Sequence, residues 1–189
     1  MTVTAEANPR SDWATIPNYI TAARLLLFVP LVVGVLASRQ YPLAATILLV
    51  LFGATDWIDG YLARRLHQVS RLGEILDPLA DRAGEMSIYA TLLAVGLLPW
   101  WVLAVTVVMD LLLFAVVAVR MRRVGPVAVT WLGKTRTAVQ MTALPLLTLS
   151  QVDAATGPTI LTVAIALLAL GAVLHIAAGV GYAIALLRH

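Results

Sequence analysis

Between Asp56 and Arg82 an otherwise apolar chain places four aspartates, two glycines and several arginines, in the stretch DWIDGYLARRLHQVSRLGEILDPLADR. Asp56 and Asp59 are three residues apart and Asp77 and Asp81 four apart, so on helices each pair shares a face. Two such faces turned together make an oxygen-lined cage of the kind that suits Mg²⁺ or Mn²⁺. Carboxylates held close together raise one another's pKa unless cations compensate, and a divalent ion resolves that conflict. Gly60 follows Asp59, and Gly73 lies four residues before Asp77. A missing side chain there would let a ligand approach a helix backbone, although tight packing or a turn explains either glycine equally well. Ala63 continues the small face, and Arg64 offers a planar, permanently charged fork for phosphate oxygens. The constellation reads as a metal-bridged diphosphate site at a membrane surface. The plainer alternative is a solvated loop in which the aspartates pair with Arg64, Arg65, Arg71 and Arg82. Against it, the acids follow directly on the apolar run ending at Thr55 and directly precede another, and ionisable groups at such depths are usually functional.

The elements that must position these residues are set by composition. Of 189 residues 61% are hydrophobic and 12% charged, with a mean hydropathy of +0.92. That balance predicts an all-α, polytopic membrane protein. Apolar runs cover about 16–37, 43–55 continuing into the aspartates, 78–98, 102–119, 127–149 and 159–187, each near the length that crosses roughly 30 Å of hydrocarbon. Six transmembrane helices in a single domain, 1–189, are expected, with 1–15 as a tail or juxtamembrane segment. A cleaved signal peptide is a weaker reading of the first run, because the leader is acidic as well as basic. Pro99-Trp100-Trp101 marks an interface. There is no cysteine, so no disulfide or thiolate chemistry can be proposed.

Basic residues orient the bundle. With both termini on one side, that side holds Arg10, Arg24, Arg64, Arg65, Arg71, Arg82, Arg120, Arg122, Arg123, Lys134, Arg136 and Arg188, and the other holds only Arg39. The positive-inside rule then places the termini and the aspartate stretch in the cytoplasm. The excess positive charge favours anionic membrane lipids as partners. Nucleic-acid binding is excluded as a class, since no soluble basic domain is present to do it.

The order Asp56-x-x-Asp59-Gly60-x-x-Ala63-Arg64, then eight residues, then Gly73-x-x-x-Asp77-x-x-x-Asp81 resembles, at every position, the signature of the CDP-alcohol phosphotransferases. Pro17-Asn18-Tyr19-Ile20-Thr21 with Arg24 and Pro30 is similar to that family's first helix, and Leu132-Gly133-Lys134-Thr135-Arg136-Thr137 to its fifth. The resemblance implies six transmembrane helices, a homodimer, and a site open to the cytoplasmic leaflet of a bacterial membrane. It implies that Asp56, Asp59, Asp77 and Asp81 hold two Mg²⁺ or Mn²⁺ ions, with Asp81 also the general base. It further implies that Asp56, Asp59, Gly60, Ala63, Arg64 and Gly73 bind the CDP portion of CDP-diacylglycerol, whose phosphatidyl group passes to a glycerol-type acceptor as CMP leaves.

Two segments point to different acceptors. Ser70 to Gly73 and Leu79 to Arg82 resemble the actinobacterial-type cardiolipin synthases, whose acceptor is phosphatidylglycerol. Gly133 to Thr137 with Gln140-Met141 resembles the phosphatidylglycerophosphate synthases, whose acceptor is glycerol-3-phosphate. Both groups often carry an Arg-acid pair in helix four, where this chain has Met109-Asp110. Arg120, Lys134 and Arg136 are candidates for the acceptor's phosphate, although an interfacial basic cluster is more often a topological feature. Inositol-phosphate transfer is the alternative within the family. A non-enzymatic divalent-cation transporter or scaffold is the alternative outside it, and leaves the spacing of Gly60, Ala63, Arg64 and Gly73 unexplained. Asp110, in the middle of an apolar helix, is costly enough to suggest a partner, and a structural hydrogen bond to Asn18 or Arg24 and a catalytic role are equally open readings. Glu85 is a candidate supporting residue one turn beyond Asp81. His175 reads as a packed helix residue, and His67 and His189 as solvated.

Overall fold

A computed structural model describes residues 16–66, 73–123 and 131–187. The tail, His67, Arg71 and His189 lie outside the described residues. Every regular element among the described residues is helical. The first rod is continuous from Ile16 to Ser38: α1 (Ile16–Ala23), a π-helical turn (Arg24–Phe28) and α2 (Val29–Ser38). The π turn is closed by the Val29 N–H donating to the Arg24 carbonyl, five residues back. The remaining rods are α3 (Pro42–Leu66), α4 (Gly73–Ala94), α5 (Trp100–Arg123), α6 (Trp131–Leu149) and α7 (Gly157–Leu187). The expected helices are therefore present. The helix α4 extends beyond its apolar run, beginning at Gly73 so that Asp77 and Asp81 both lie on helical backbone.

Two stretches, Tyr19–Ser38 and Gly157–Gly181, are long and apolar enough to cross a membrane by themselves. The apolar parts of other rods, such as Pro42–Thr55 and Trp100–Ala115, are shorter, and the second of these contains Asp110. Large apolar side chains cover much of the exterior, with Leu27, Leu111 and Phe114 all strongly exposed. A water-soluble protein would bury such residues, whereas lipid tails solvate them at no cost.

The interior is built where the first rod meets α3 and α4, and where α6 packs between α3 and α7, with α5 against α7. Val29, Val32, Leu36, Leu49, Phe52, Ile88, Tyr89, Leu92, Leu144, Leu147 and Leu168 form one continuous core. Gly84 allows a close approach: a Cβ there would lie 3.1 Å from Val29 Cγ2 and 3.4 Å from Phe52 Cζ. With hydrogen at that position, α4 sits directly on the first rod and on α3 one turn beyond Asp81. Polar side chains tie the rods where apolar contact alone is not directional. Thr46 of α3 and Thr148 of α6 share a buried hydrogen bond of 2.8 Å, and Thr148 also donates to the carbonyl of Pro145, inside α6.

At the end of the bundle away from the aspartates, Arg39 adopts φ 56°, the left-handed conformation that closes α2. Its backbone N–H donates to Leu36 O, and its guanidinium donates to the Val95 carbonyl after α4. One side chain thereby joins the connections that follow α2 and α4.

Candidate functional site

The first rod carries Arg24 into the space between α3 and α4. Arg24 is 8% exposed, and its guanidinium pairs with the Asp81 carboxylate of α4. It also lies 5.9 Å from the ring centroid of Phe52, itself stacked on Phe28 at 6.4 Å and 8°. Phe52 precedes Asp56 by four residues, one helical turn. One cation on the first rod therefore touches the aspartate motif on α4 and the turn of α3 that leads into it.

Beside Asp81 opens a cavity of about 310 Å³, lined by Phe52, Asp81, Arg82, Glu85, Arg136, Thr137 and Met141. Its wall unites the motif aspartate of α4 with Arg136 of α6, which the sequence offers as one candidate for the acceptor's phosphate. Carboxylate and guanidinium on one wall can orient a polar ligand, the acid accepting from a hydroxyl and the arginine donating to phosphate or carbonyl oxygen.

Behind this wall lies a charged cluster shared by four helices. Arg82 Nη1 donates to Glu85 Oε2 at 2.6 Å, and Arg82 Nη2 lies 3.2 Å from Asp110 Oδ1 on α5. The same oxygen is 3.7 Å from Arg136 Nη1 of α6 and 3.2 Å from His175 Nε2 of α7, and Arg136 and His175 also touch each other. Arg136 is 7% exposed and His175 fully buried. Among the described residues the partners of Asp110 are thus Arg82, Arg136 and His175 and not the expected Arg24; the side chain of Asn18 lies outside the described residues. Arg24 is engaged by Asp81, and the carboxylate of Asp110 faces α4, α6 and α7. Glu85 supports Arg82 rather than Asp81 itself. His175 is packed as expected, but into this cluster.

The remaining site candidates are placed by their backbones. Asp56, Asp59, Gly60, Ala63 and Arg64 occupy the last three turns of α3, and Gly73 and Asp77 the first two of α4. The side chains of Asp56, Asp59, Arg64 and Asp77 lie outside the described residues, as do those of Arg120, near the end of α5, and Lys134, in the first turn of α6. Both aspartate pairs hold the helical registers that put their members on common faces. Among the described residues no three metal-capable side chains gather. Asp81 presents a partly exposed carboxylate on a cavity wall, the hard oxygen donor that suits a divalent cation.

An apolar exterior, four motif aspartates towards the ends of two helices and a cavity lined by Asp81, Arg82 and Arg136 define a class: an all-helical protein with a charged site beside an apolar surface. The family model described as CDP-alcohol phosphatidyltransferase matches residues 14–181, and the chain belongs to that family. It is similar to a Streptomyces coelicolor protein named cardiolipin synthase (CMP-forming), 39% identical over 143 residues, covering 72% of this chain and 66% of the relative. It is also similar to an Escherichia coli K12 protein named CDP-diacylglycerol–glycerol-3-phosphate 3-phosphatidyltransferase, 36% identical over 136 residues, covering 68% of this chain and 74% of the relative. A protein of the same name from Sodalis glossinidius is 34% identical over 135 residues, covering 68% and 74% respectively. The chain spans 66% of the length of the Streptomyces and mycobacterial relatives.

Proposed function

We propose that this protein transfers the phosphatidyl group of CDP-diacylglycerol to the hydroxyl of a glycerol-type acceptor, glycerol-3-phosphate or phosphatidylglycerol, with release of CMP. The observation that carries the reading is the cavity wall on which Asp81 of the eight-residue signature stands beside Arg136 of α6. Family membership and the names of the relatives support the same reaction class. When bound, a pair of Mg²⁺ or Mn²⁺ ions held by Asp56, Asp59, Asp77 and Asp81 would neutralise the diphosphate and the negative charge that develops on the departing CMP.

The chain's own residues do the rest. Gly60, Ala63 and Gly73 leave room for the CDP moiety against helix backbone, and Arg64, with its fork of donors, binds phosphate oxygen. Asp81 accepts the proton of the acceptor hydroxyl as its oxygen forms a bond to the phosphorus bearing diacylglycerol. The bond from that phosphorus to the oxygen of CMP breaks, and CMP departs with the electron pair. Arg136, with Lys134 in the first turn of α6 and Arg120 near the end of α5, steadies the acceptor's phosphate or phosphodiester. Arg24 holds the Asp81 carboxylate in place from the first rod.

In this reading residues 1–189 form one domain whose six rods all cross the bilayer, with termini and site on the cytoplasmic side of a bacterial cell membrane and two copies forming a homodimer. The exposed apolar side chains and the one-sided distribution of Arg and Lys support that arrangement. The chain has no cysteine, so single introduced cysteines probed with impermeant reagents test the topology directly. The decisive experiment is CMP release from CDP-diacylglycerol by the purified protein with Mg²⁺, run in parallel with glycerol-3-phosphate, phosphatidylglycerol and inositol phosphate. Turnover with either glycerol acceptor is expected. Turnover with none, or with inositol phosphate alone, refutes the proposal.

A further inference from the structure

Asp110 is the acid at the centre of this cluster, yet it belongs neither to the aspartate signature nor to the cavity lining. Its Oδ1 is approached by Arg82 of α4, Arg136 of α6 and His175 of α7, so one carboxylate faces polar groups from three other helices. A carboxylate in the apolar part of a helix is costly, and it is tolerated only where it is compensated. Two of the residues around it, Arg82 and Arg136, are also cavity residues, whereas Asp110 and His175 stand behind them. Arg136 Nη1 is held by His175 and lies 3.7 Å from Asp110 Oδ1, while the residue lines the cavity. A guanidinium fixed at one nitrogen on a cavity wall is a pre-aimed binding group.

On these contacts, and resting on the transfer reaction proposed above, we infer that Asp110 and His175 are positioning residues that aim Arg136 at the cavity and thereby set the affinity for the acceptor. Neither touches substrate. Asp110 balances the two arginines that would otherwise repel each other across the cavity wall, and His175 fills the buried space behind Arg136 and fixes where its guanidinium can lie. Without this backing Arg136 keeps its charge but loses its direction, and a misdirected fork cannot make bidentate contact with phosphate oxygens.

The test measures steady-state CMP release in detergent for wild type, His175→Gln, His175→Phe and Asp110→Asn, varying the acceptor that supports wild-type turnover and, separately, CDP-diacylglycerol. His175→Phe keeps the volume and removes the polar contact, and His175→Gln restores a polar group near the Nε2 position. For His175→Phe the expected result is an acceptor KM raised by about tenfold or more, the loss expected of a misaligned charge-assisted contact. Its kcat should stay within about threefold, its KM for CDP-diacylglycerol should not change, and His175→Gln should recover most of the loss. Asp110→Asn should shift the acceptor KM in the same direction. Should Asp110→Asn fail to fold, the two His175 variants carry the test by themselves. Equal acceptor KM in His175→Phe and wild type, or losses spread evenly over kcat and both substrates, overturns the positioning role while leaving the reaction intact. A wild-type protein inactive with every acceptor overturns the reaction, and the positioning role with it.

Discussion

Replacing Asp81 with asparagine separates its proposed role in proton transfer from its role in the architecture. The side chain is 42% exposed and its charged contact among the described residues is with Arg24. An asparagine carbonyl still accepts from the guanidinium, and the Phe52 ring still lies beneath it at 5.9 Å. Because the carboxylate is substantially solvated, the loss of its charge should lower stability by about 1 kcal/mol or less. For a protein of this size that corresponds to a fall in Tm of roughly 2–4 °C. The kinetic consequence is far larger. A positioned general base contributes about 10²–10⁴-fold, equivalent to roughly 3–5 kcal/mol of barrier. The assay is single-turnover CMP release from CDP-diacylglycerol with saturating acceptor, paired with equilibrium binding of CDP in the presence of Mn²⁺. The expected pattern is a folded protein that binds CDP and transfers at least about a hundredfold more slowly. Turnover within a few-fold of wild type refutes Asp81 as base. Loss of CDP binding in step with activity assigns the residue to binding instead.

Three further outcomes follow from the packing. Gly84→Leu should drive α4 away from Val29 and Phe52, which a Cβ alone already meets at 3.1 and 3.4 Å, and lower stability by about 1–3 kcal/mol as measured by Tm in detergent. Thr148→Val removes the 2.8 Å bond to Thr46, and a double-mutant cycle with Thr46→Val should return a coupling of about 0.6 kcal/mol, since each hydroxyl also has a backbone acceptor. Asp153, in the turn before α7, accepts from the hydroxyl and the backbone N–H of Thr156, which hold its pKa below the ordinary 3.8. A lowered folded value means the stabilisation is complete above the ordinary value and is lost as pH falls through the folded one. Wild type should therefore melt above Asp153→Asn at neutral pH, with the two curves converging in acid; a constant gap refutes the assignment.

Most of the helical architecture can be read from composition because apolar runs of about twenty residues have few other uses. The signature aspartates are equally legible, since polar groups at fixed spacing stand out against such a background. What local sequence does not contain is which helix neighbours which. Asp110 is conspicuous as an acid in an apolar helix, but its partners lie on α4, α6 and α7, and nothing near Asp110 names them. A usable signal existed in the corresponding isolated charges: Arg136 and His175 each interrupt an apolar helix, and groups expensive to bury alone tend to be buried together. The first turns of α4 were harder to read from hydropathy, because they continue a helix through polar residues. The π turn at Arg24–Phe28 has no compositional mark at all, being written in ordinary leucines and a phenylalanine.

That turn uncouples residue count from direction in the first rod. A π turn accommodates one residue more than the α-helix around it, and each residue advances a helix by about 100°. Because the Arg24 carbonyl and the Val29 N–H already meet across the turn, removing any one of Leu25, Leu26 or Leu27 would close the same bond at α spacing and leave Arg24 in phase with Val29 and Val32, which are anchored in the core. Winding the turn as α with all its residues kept would instead carry Arg24 about 100° round the rod, away from Asp81. The extra residue is thus held as width in one turn and not as rotation, and the phase between the first rod and the acid it serves depends on a feature that hydropathy cannot detect.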